Sequence, residues 1–263
     1  MRKDDNMIDL RQGDCLELMK EIPDGSIDMI LADLPYSTTS ANWDNPVDLN
    51  ELWQQYIRIA KDNTPILLFG VDVFSAELIN SNKKMYRHRW IWNKENGGSP
   101  FNAKYGPRKV CEDILVFSKS RCNYYPIKVP KLKKNYRTRK YKGGSSLFGE
   151  TEFIPKNDEN GALIYPTNLI TVNGQSNELN NTVRVHPTQK PVALLEYLIK
   201  TYTNEGELVL DNTMGSGSTG VACVNTKRDF IGMELDKEYF RIAEKRIQEA
   251  QSEIRLTNGV AGC

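Results

Sequence analysis

A chain of 263 residues with a formal net charge of +1 can bury one large core, or one core carrying an inserted lobe, without help from disulfides or metal. The near-neutral balance excludes a uniformly basic nucleic-acid coat, so any charge that holds a polyanion must be local. The five cysteines (Cys15, Cys111, Cys122, Cys223 and Cys263) form no C-x-x-C pair, and no apolar run approaches the roughly 20 residues that cross a bilayer. These features predict free thiols, no metal centre, no membrane partner and, with no signal-peptide core after Met1, a cytoplasmic location.

In chain order, Ile27 to Ala32 is a short apolar run stopped by Asp33 and Pro35, which predicts a buried strand. Leu49, Leu52, Trp53, Tyr56, Ile57 and Ala60 recur at helical spacing between Val47 and Lys61. Pro65 to Gly70 reads as a second strand, Val71 to Asn80 as a helix, and Arg89 to Lys94 and Asp113 to Phe117 as two more strands. After Ser118 the character changes. Lysines and arginines crowd the stretch from Lys119 to Lys142, interleaved with Tyr124, Tyr125, Tyr136 and Tyr141, and no acid falls between Asp113 and Glu150. Regular patterning returns at Pro187, with a helix through Leu194 and Leu198, a strand Glu207 to Asp211, a Gly-rich turn opening a helix, a strand Asp229 to Glu234 and a charged helix from Lys237. The alternation predicts an α/β, Rossmann-like, doubly wound and mostly parallel sheet. The expected division is 1–118, an inserted basic lobe at 119–185, and 186–263 completing the first part's domain.

Two loops carry the chemistry. Gly215, Gly217 and Gly220 lie between a strand and a helix, where glycine permits a tight turn and close approach of a ligand to the backbone. Glu234 ends the next strand and can accept hydrogen bonds from both ribose hydroxyls of a nucleoside cofactor. No lysine follows the glycines, which argues against an ATP-binding loop; NAD stays open on this segment alone. Asp33, Leu34, Pro35 and Tyr36 follow the first strand. The Asp33 carboxylate can accept from an amino group, the turn at Pro35 can aim a main-chain carbonyl at the second amino hydrogen, and the Tyr36 ring offers a face on which a base stacks. An aromatic amine, whose lone pair is delocalised, needs such acceptors to become nucleophilic.

These residues together resemble the amino-methyltransferases of DNA, in the β-group order with the catalytic loop ahead of the cofactor loop. Asp33-Leu34-Pro35-Tyr36 resembles the catalytic loop, with Asn42-Trp43-Asp44 as a companion. Gly13-Asp14-Cys15-Leu16-Glu17 resembles the segment that holds the cofactor adenine, with Asp14 on its amino group. His186-Pro187-Thr188-Gln189-Lys190-Pro191 resembles the segment lining the methionine end, which implies Thr188 and Lys190 there. Asp211 to Gly220, including Thr213, Gly215, Ser216 and Gly217, resembles the cofactor loop, and Glu234 the ribose acid. Leu34 and Asn212 stand where proline is common, and Thr213 where an aromatic is. The family's target-recognition region falls on the basic lobe, which makes Lys131, Lys133, Lys134, Arg137, Arg139 and Lys140 candidate DNA contacts.

The resemblance implies S-adenosylmethionine as cofactor, double-stranded DNA as partner, and methylation of the N6 amine of a flipped adenine in a specific sequence. Asp33, where cytosine-N4 enzymes usually carry Ser, favours adenine. Cytosine N4 or RNA is the alternative acceptor, and a catalytically silent DNA-binding module is the alternative class. No cysteine follows a proline, which argues against cytosine-C5 chemistry. A homodimer and a cognate restriction nuclease stay open as partners.

Overall fold

The computed structural model describes residues 6–35, 47–95, 103–130, 163–173 and 189–260, with side chains through 256. Two compact units emerge. Met1–Tyr125 and Asn168–Cys263 form the larger, and Pro126–Thr167 the smaller.

The larger unit is built on β1 (Ile8–Gln12), β2 (Met29–Ala32), β3 (Ile66–Gly70), β4 (Tyr86–Asn93), β5 (Cys111–Phe117), β8 (Leu169–Thr171), β9 (Leu208–Asp211) and β10 (Asp229–Glu234). They form one sheet in the order β1-β10-β9-β2-β3-β5-β4-β8. Only β5 runs against the other strands of this sheet, because it is antiparallel to both β3 and β4. This is the expected mostly parallel α/β sheet.

Period-two alternation along the central strands feeds two cores. Met29, Leu31, Leu67, Phe69, Val209 and Phe230 face one side, where α4 (Val192–Tyr202), α5 (Ser218–Asn225) and α6 (Lys237–Val260) pack. Ile30, Leu68, Leu115, Leu210 and Met233 face the other, against α1 (Cys15–Met19), α2 (Leu49–Ile59) and α3 (Asp72–Ser81). Strands buried on both faces are apolar throughout, which is why β2 and β3 read so plainly in the sequence. The α2 helix starts where Asp48 accepts from the Asn50 and Glu51 amides, 2.8 and 3.0 Å away.

Within the expected 119–185 lobe, Pro126–Thr167 is the part that clusters as its own unit. The amides of Ser120, Asn123 and Tyr125 donate to the carbonyls of Asp62, Asn63 and Thr201, at 3.1, 3.2 and 2.7 Å, and tie 119–125 to the larger unit. Likewise Leu169, Ile170 and Thr171 pair in parallel with Ile91, Trp92 and Asn93. Three elements escaped the sequence reading here: edge strands β1 and β8, and the five-residue α1. They are short, and each is fixed by a distant partner or a cap rather than by its own periodicity. In the smaller unit, β6 (Val129–Pro130) and β7 (Leu163–Ile164) pair antiparallel, and Lys128 Nζ lies 5.8 Å from the centre of the Tyr165 ring.

Gly220 shows how tightly α5 is seated. A Cβ there would lie 2.3 Å from Ile247 Cδ1 on α6 and 2.8 Å from Phe230 Cε1 on β10. Gly220→Ala should therefore destabilise the protein by about 1–3 kcal/mol in urea denaturation, despite alanine's better helix propensity. Ile247→Val in the same chain should recover part of the loss. Unchanged stability in Gly220→Ala would show that α6 yields freely.

Candidate active site

The site lies where the parallel strands end. In the register of β10 with its neighbours, Glu234 stands beside Gln12 of β1, and Gly232 beside Asp211 of β9. On the other side of β9, Met29 and Ile30 of β2 oppose Val209 and Leu210, so the loops after β2 and β9 leave the same edge side by side. Successive connections diverge between β9 and β2, which makes this the crevice where open α/β sheets bind ligands. Asp14, Glu234, Asp211 and Asp33 thus follow four adjacent strand ends.

Hydrogen bonds fasten these loops to one another. Glu234 Oε2 accepts from the Gly215 amide at 2.9 Å, and Oε1 from the Asp236 amide at 2.8 Å. Gly215 and Gly217 have φ of 52° and 81°, left-handed values that glycine adopts without strain. Asp211 is buried, with Oδ2 accepting from the Thr219 hydroxyl at 2.6 Å and Oδ1 from the Thr213 amide at 3.1 Å. The Thr213 hydroxyl donates to the Asp33 carbonyl at 3.1 Å, which links the two loops directly. Asn212 accepts from the buried Tyr56 hydroxyl at 2.6 Å, and its Nδ2 lies 3.5 Å from Cys15 Sγ. Two of the three departures from the family's commoner residues therefore have work here: Thr213 joins the loops, and Asn212 anchors its loop to α2 and α1. Ser216 is buried, and Arg246 of α6 donates to its carbonyl at 2.6 Å and to its hydroxyl at 3.1 Å.

Asp14 Oδ1 caps α1, accepting from the amides of Leu16 and Glu17 at 2.8 and 3.3 Å. Leu34 is buried and Pro35 half-buried behind Asp33. Lys190 does something its sequence position did not reveal. Its Nζ lies 2.6 Å from Asp33 Oδ2 and 3.4 Å from Glu112 Oε2, over the Phe69 ring at 4.9 Å from its centre. Glu112 itself was missed in the sequence, where the strand is read from Asp113 and Glu112 is only one of two adjacent acids before an apolar run. Tyr36, Thr188, His186 and the candidate DNA contacts Lys131, Lys133, Lys134, Arg137, Arg139 and Lys140 lie outside the described residues. Among the described residues no cluster of His, Cys, Asp or Glu could hold a metal ion, and no helix is long and apolar enough to cross a membrane.

The DNA methylase family model N6_N4_Mtase matches residues 27–245, a span that includes Asp33, Asp211 and Glu234. This chain belongs to that family. The methylase is 28% identical over 248 residues to the Type II methyltransferase M.HpaI of Haemophilus parainfluenzae, covering 88% of this chain and 71% of the relative. It is 27% identical over 263 residues to the DNA adenine methyltransferase YhdJ of Escherichia coli (strain K12), covering 90% and 82%. Among solved structures, the M1.HpyAVI–SAM complex superposes with a TM-score of 0.61 at 25% identity, over 92% of this chain and 99% of that one. The methylase is a DNA methyltransferase that takes its methyl group from S-adenosylmethionine.

The strand-end acids suit that cofactor, which carries a positive sulfonium and a ribose. Burial pushes the Asp211 carboxyl up to about 7, and the nearby Asp33 and Glu234 carboxylates add repulsion that the Thr219 and Thr213 hydrogen bonds only partly offset. Burial likewise raises Glu234, against the amides of Asp236 and Gly215. A cationic ligand would relieve this crowding of negative charge.

The Asp211 shift has a signed consequence. A carboxyl that titrates near 4 when unfolded and about 7 when folded contributes stability that is full at low pH and lost as pH rises between those values. Between pH 5 and pH 8 the methylase should lose about 2–4 kcal/mol more stability than its Asp211→Asn variant. Urea midpoints at the two pH values measure the difference. Equal losses would mean that Asp211 does not take up a proton on folding.

Proposed function

We propose that this enzyme methylates the N6 amine of an adenine extruded from a specific duplex sequence. The observation that carries the reading is the fastening of Asp33 beside the cofactor loop, through the 3.1 Å bond from the Thr213 hydroxyl to its carbonyl. That contact keeps the acid that would accept the target amine next to the loop that would hold the cofactor.

When bound, S-adenosylmethionine supplies an activated methyl group. Glu234, already oriented by two amides, would take the ribose hydroxyls, and the Gly215–Gly217 turn would give the cofactor backbone contact. Asp14 would reach the adenine end, beside Cys15. On the acceptor side, the Asp33 carboxylate accepts one amino hydrogen of the target base. The carbonyl of Leu34 or Pro35 accepts the other, and the Tyr36 ring stacks on the base. Two acceptors on the N–H bonds favour a pyramidal nitrogen with its lone pair exposed. Extruding the base costs a few kcal/mol, and stacking returns about 1–3 kcal/mol of it. Positioning supplies most of the acceleration.

Asp33 and the likeness to the DNA adenine methyltransferase YhdJ support adenine over cytosine as the target. The basic stretch that includes Lys131, Lys133, Lys134, Arg137, Arg139 and Lys140 would hold phosphates of the duplex. A cognate restriction nuclease as companion, a cytoplasmic location and a homodimer complete the proposal.

Asp33→Ala should lower methyl transfer by about 100-fold or more while leaving S-adenosylmethionine binding close to wild type. Mass spectrometry of nucleosides from treated, methylation-free DNA should show N6-methyladenine with the wild type. Wild-type turnover in the variant would remove Asp33 from the chemistry, and N4-methylcytosine as product would overturn the choice of base.

Neutralising Lys133, Lys134, Arg137 and Arg139 together should weaken binding to all duplexes alike, and each lost phosphate contact should flatten the log–log salt dependence by about 0.9. Calorimetric cofactor affinity should stay unchanged. An unaltered salt slope would make the stretch a solvated face, and a loss confined to one sequence would make these side chains base readers.

A further inference from the structure

Four charged side chains from four parts of the chain form a line ending at Asp33. Lys94, just past β4, reaches Glu112 Oε1 on β5 at 2.9 Å. Glu112 Oε2 lies 3.4 Å from Lys190 Nζ, in the turn before α4, and Lys190 Nζ lies 2.6 Å from Asp33 Oδ2. The inner members are the most enclosed: side-chain exposure is 9% for Lys190 and 14% for Glu112, against 23% for Lys94 and 27% for Asp33.

A buried ammonium needs a counter-charge, and Asp33 alone could supply one. That arrangement would cost the enzyme its acceptor. A carboxylate bound by an unshared ammonium is neutralised as a field source, just where the target nitrogen gains positive charge as its bond to the methyl carbon forms. Burial works against the charge of Lys190, yet Asp33 and Glu112 outweigh it and hold the ammonium above its ordinary range. Burial would raise Glu112, but Lys190 and Lys94 together hold it below its ordinary range. Both inner groups are therefore charged at neutral pH. Across the line the charges alternate, and Lys94, the outer cation, is the more screened by solvent.

We infer that Glu112 is a positioning residue for methyl transfer: by sharing Lys190 with Asp33, it lets that lysine fix the Asp33 carboxylate in place without cancelling its negative charge. The inference rests on the amino-methyltransfer reading and gives Lys190 a role different from lining the cofactor pocket. Lys190 determines where Asp33 sits; Glu112 determines how much of the Asp33 charge the target amine meets.

The test is single-turnover methyl transfer from tritiated S-adenosylmethionine to methylation-free genomic DNA, with both saturating, alongside calorimetric cofactor affinity. Glu112→Gln keeps the shape and removes the charge, and should slow the step about tenfold or more with cofactor affinity within about threefold of wild type. Glu112→Asp keeps the charge and should retain more activity than Glu112→Gln, the reverse of what a purely packing role would give. In the Lys190→Gln background, adding Glu112→Gln should change the rate little, because Glu112 acts through Lys190. This double variant removes one cation and one anion together and keeps the net charge of the line, so it decides the matter even if Glu112→Gln alone fails to fold.

An unchanged rate in Glu112→Gln, better activity in Gln than in Asp, or a further tenfold fall in the double variant would each overturn the inference. So would a Lys190→Gln enzyme with weakened cofactor binding and a wild-type saturated rate, which would return Lys190 to the cofactor pocket. A wild-type enzyme that transfers no methyl group to DNA would instead sink the amino-methyltransfer reading itself.

Discussion

The pairing of β2 with β9 joins residues 180 apart in the chain (209 − 29), and the site depends on it. Met29 against Val209 and Ile30 against Leu210 are the partners that set this register. Strand register is a discrete choice, because a slip of one residue would turn every side chain to the opposite face. Both faces of these strands are buried, so a slip would exchange the side chains that fill the two differently shaped cores. Asp33 and Asp211 then leave the same edge of the sheet, and the short bonds among Thr213, Asp33, Gly215 and Glu234 can form. The chemistry sits on loops, but their spacing is inherited from the ladder beneath them.

Several acids on one edge are electrostatically costly, and each is stabilised differently. Asp14 is committed to capping α1, and Glu234 to the Gly215 and Asp236 amides. Asp211 is buried, and its raised titration shows that its two hydrogen bonds do not fully offset desolvation. Asp33 instead has a direct ammonium partner. The two sides of the crevice differ accordingly. The β9–β10 side keeps unneutralised acid and suits a cation-bearing cofactor, whereas the β2 side is balanced by Lys190, which Glu112 holds in check.

The packing around the Gly-rich turn shows why its glycines are not interchangeable. A Cβ at Gly215 would meet nothing within 4 Å, so that position is governed by its left-handed backbone alone. At Gly217 a Cβ would come within 2.9 Å of the Ala243 Cα, so backbone conformation and the approach of α6 both require glycine. At Gly220 the approach of α6 and β10 is the whole reason. Arg246, also on α6, then clasps the Ser216 carbonyl and hydroxyl. The Gly-rich loop is thus shaped by a helix that begins after it in the chain.

The sequence by itself determined the central strands, the helices α2 to α6, the alternation of the fold, and the strand-end places of Asp33, Asp211 and Glu234. These are local properties: an apolar run of strand length, a 3.6-residue period, a Gly-rich turn, an acid at the end of a strand. Only the tertiary structure decided what depends on partners far along the chain. The edge strands β1 and β8 exist because β10 and β4 offer them hydrogen bonds, and 119–125 and 168–173 join the larger unit through partners in the main sheet and its loops. Glu112 fell just outside the strand read from Asp113, and Lys190 looked like one more residue of a cofactor-lining turn. Their roles come from a charge contact across 78 residues of sequence (190 − 112), which carries no periodic or compositional trace and appears only when β5 and the turn before α4 meet beside Asp33.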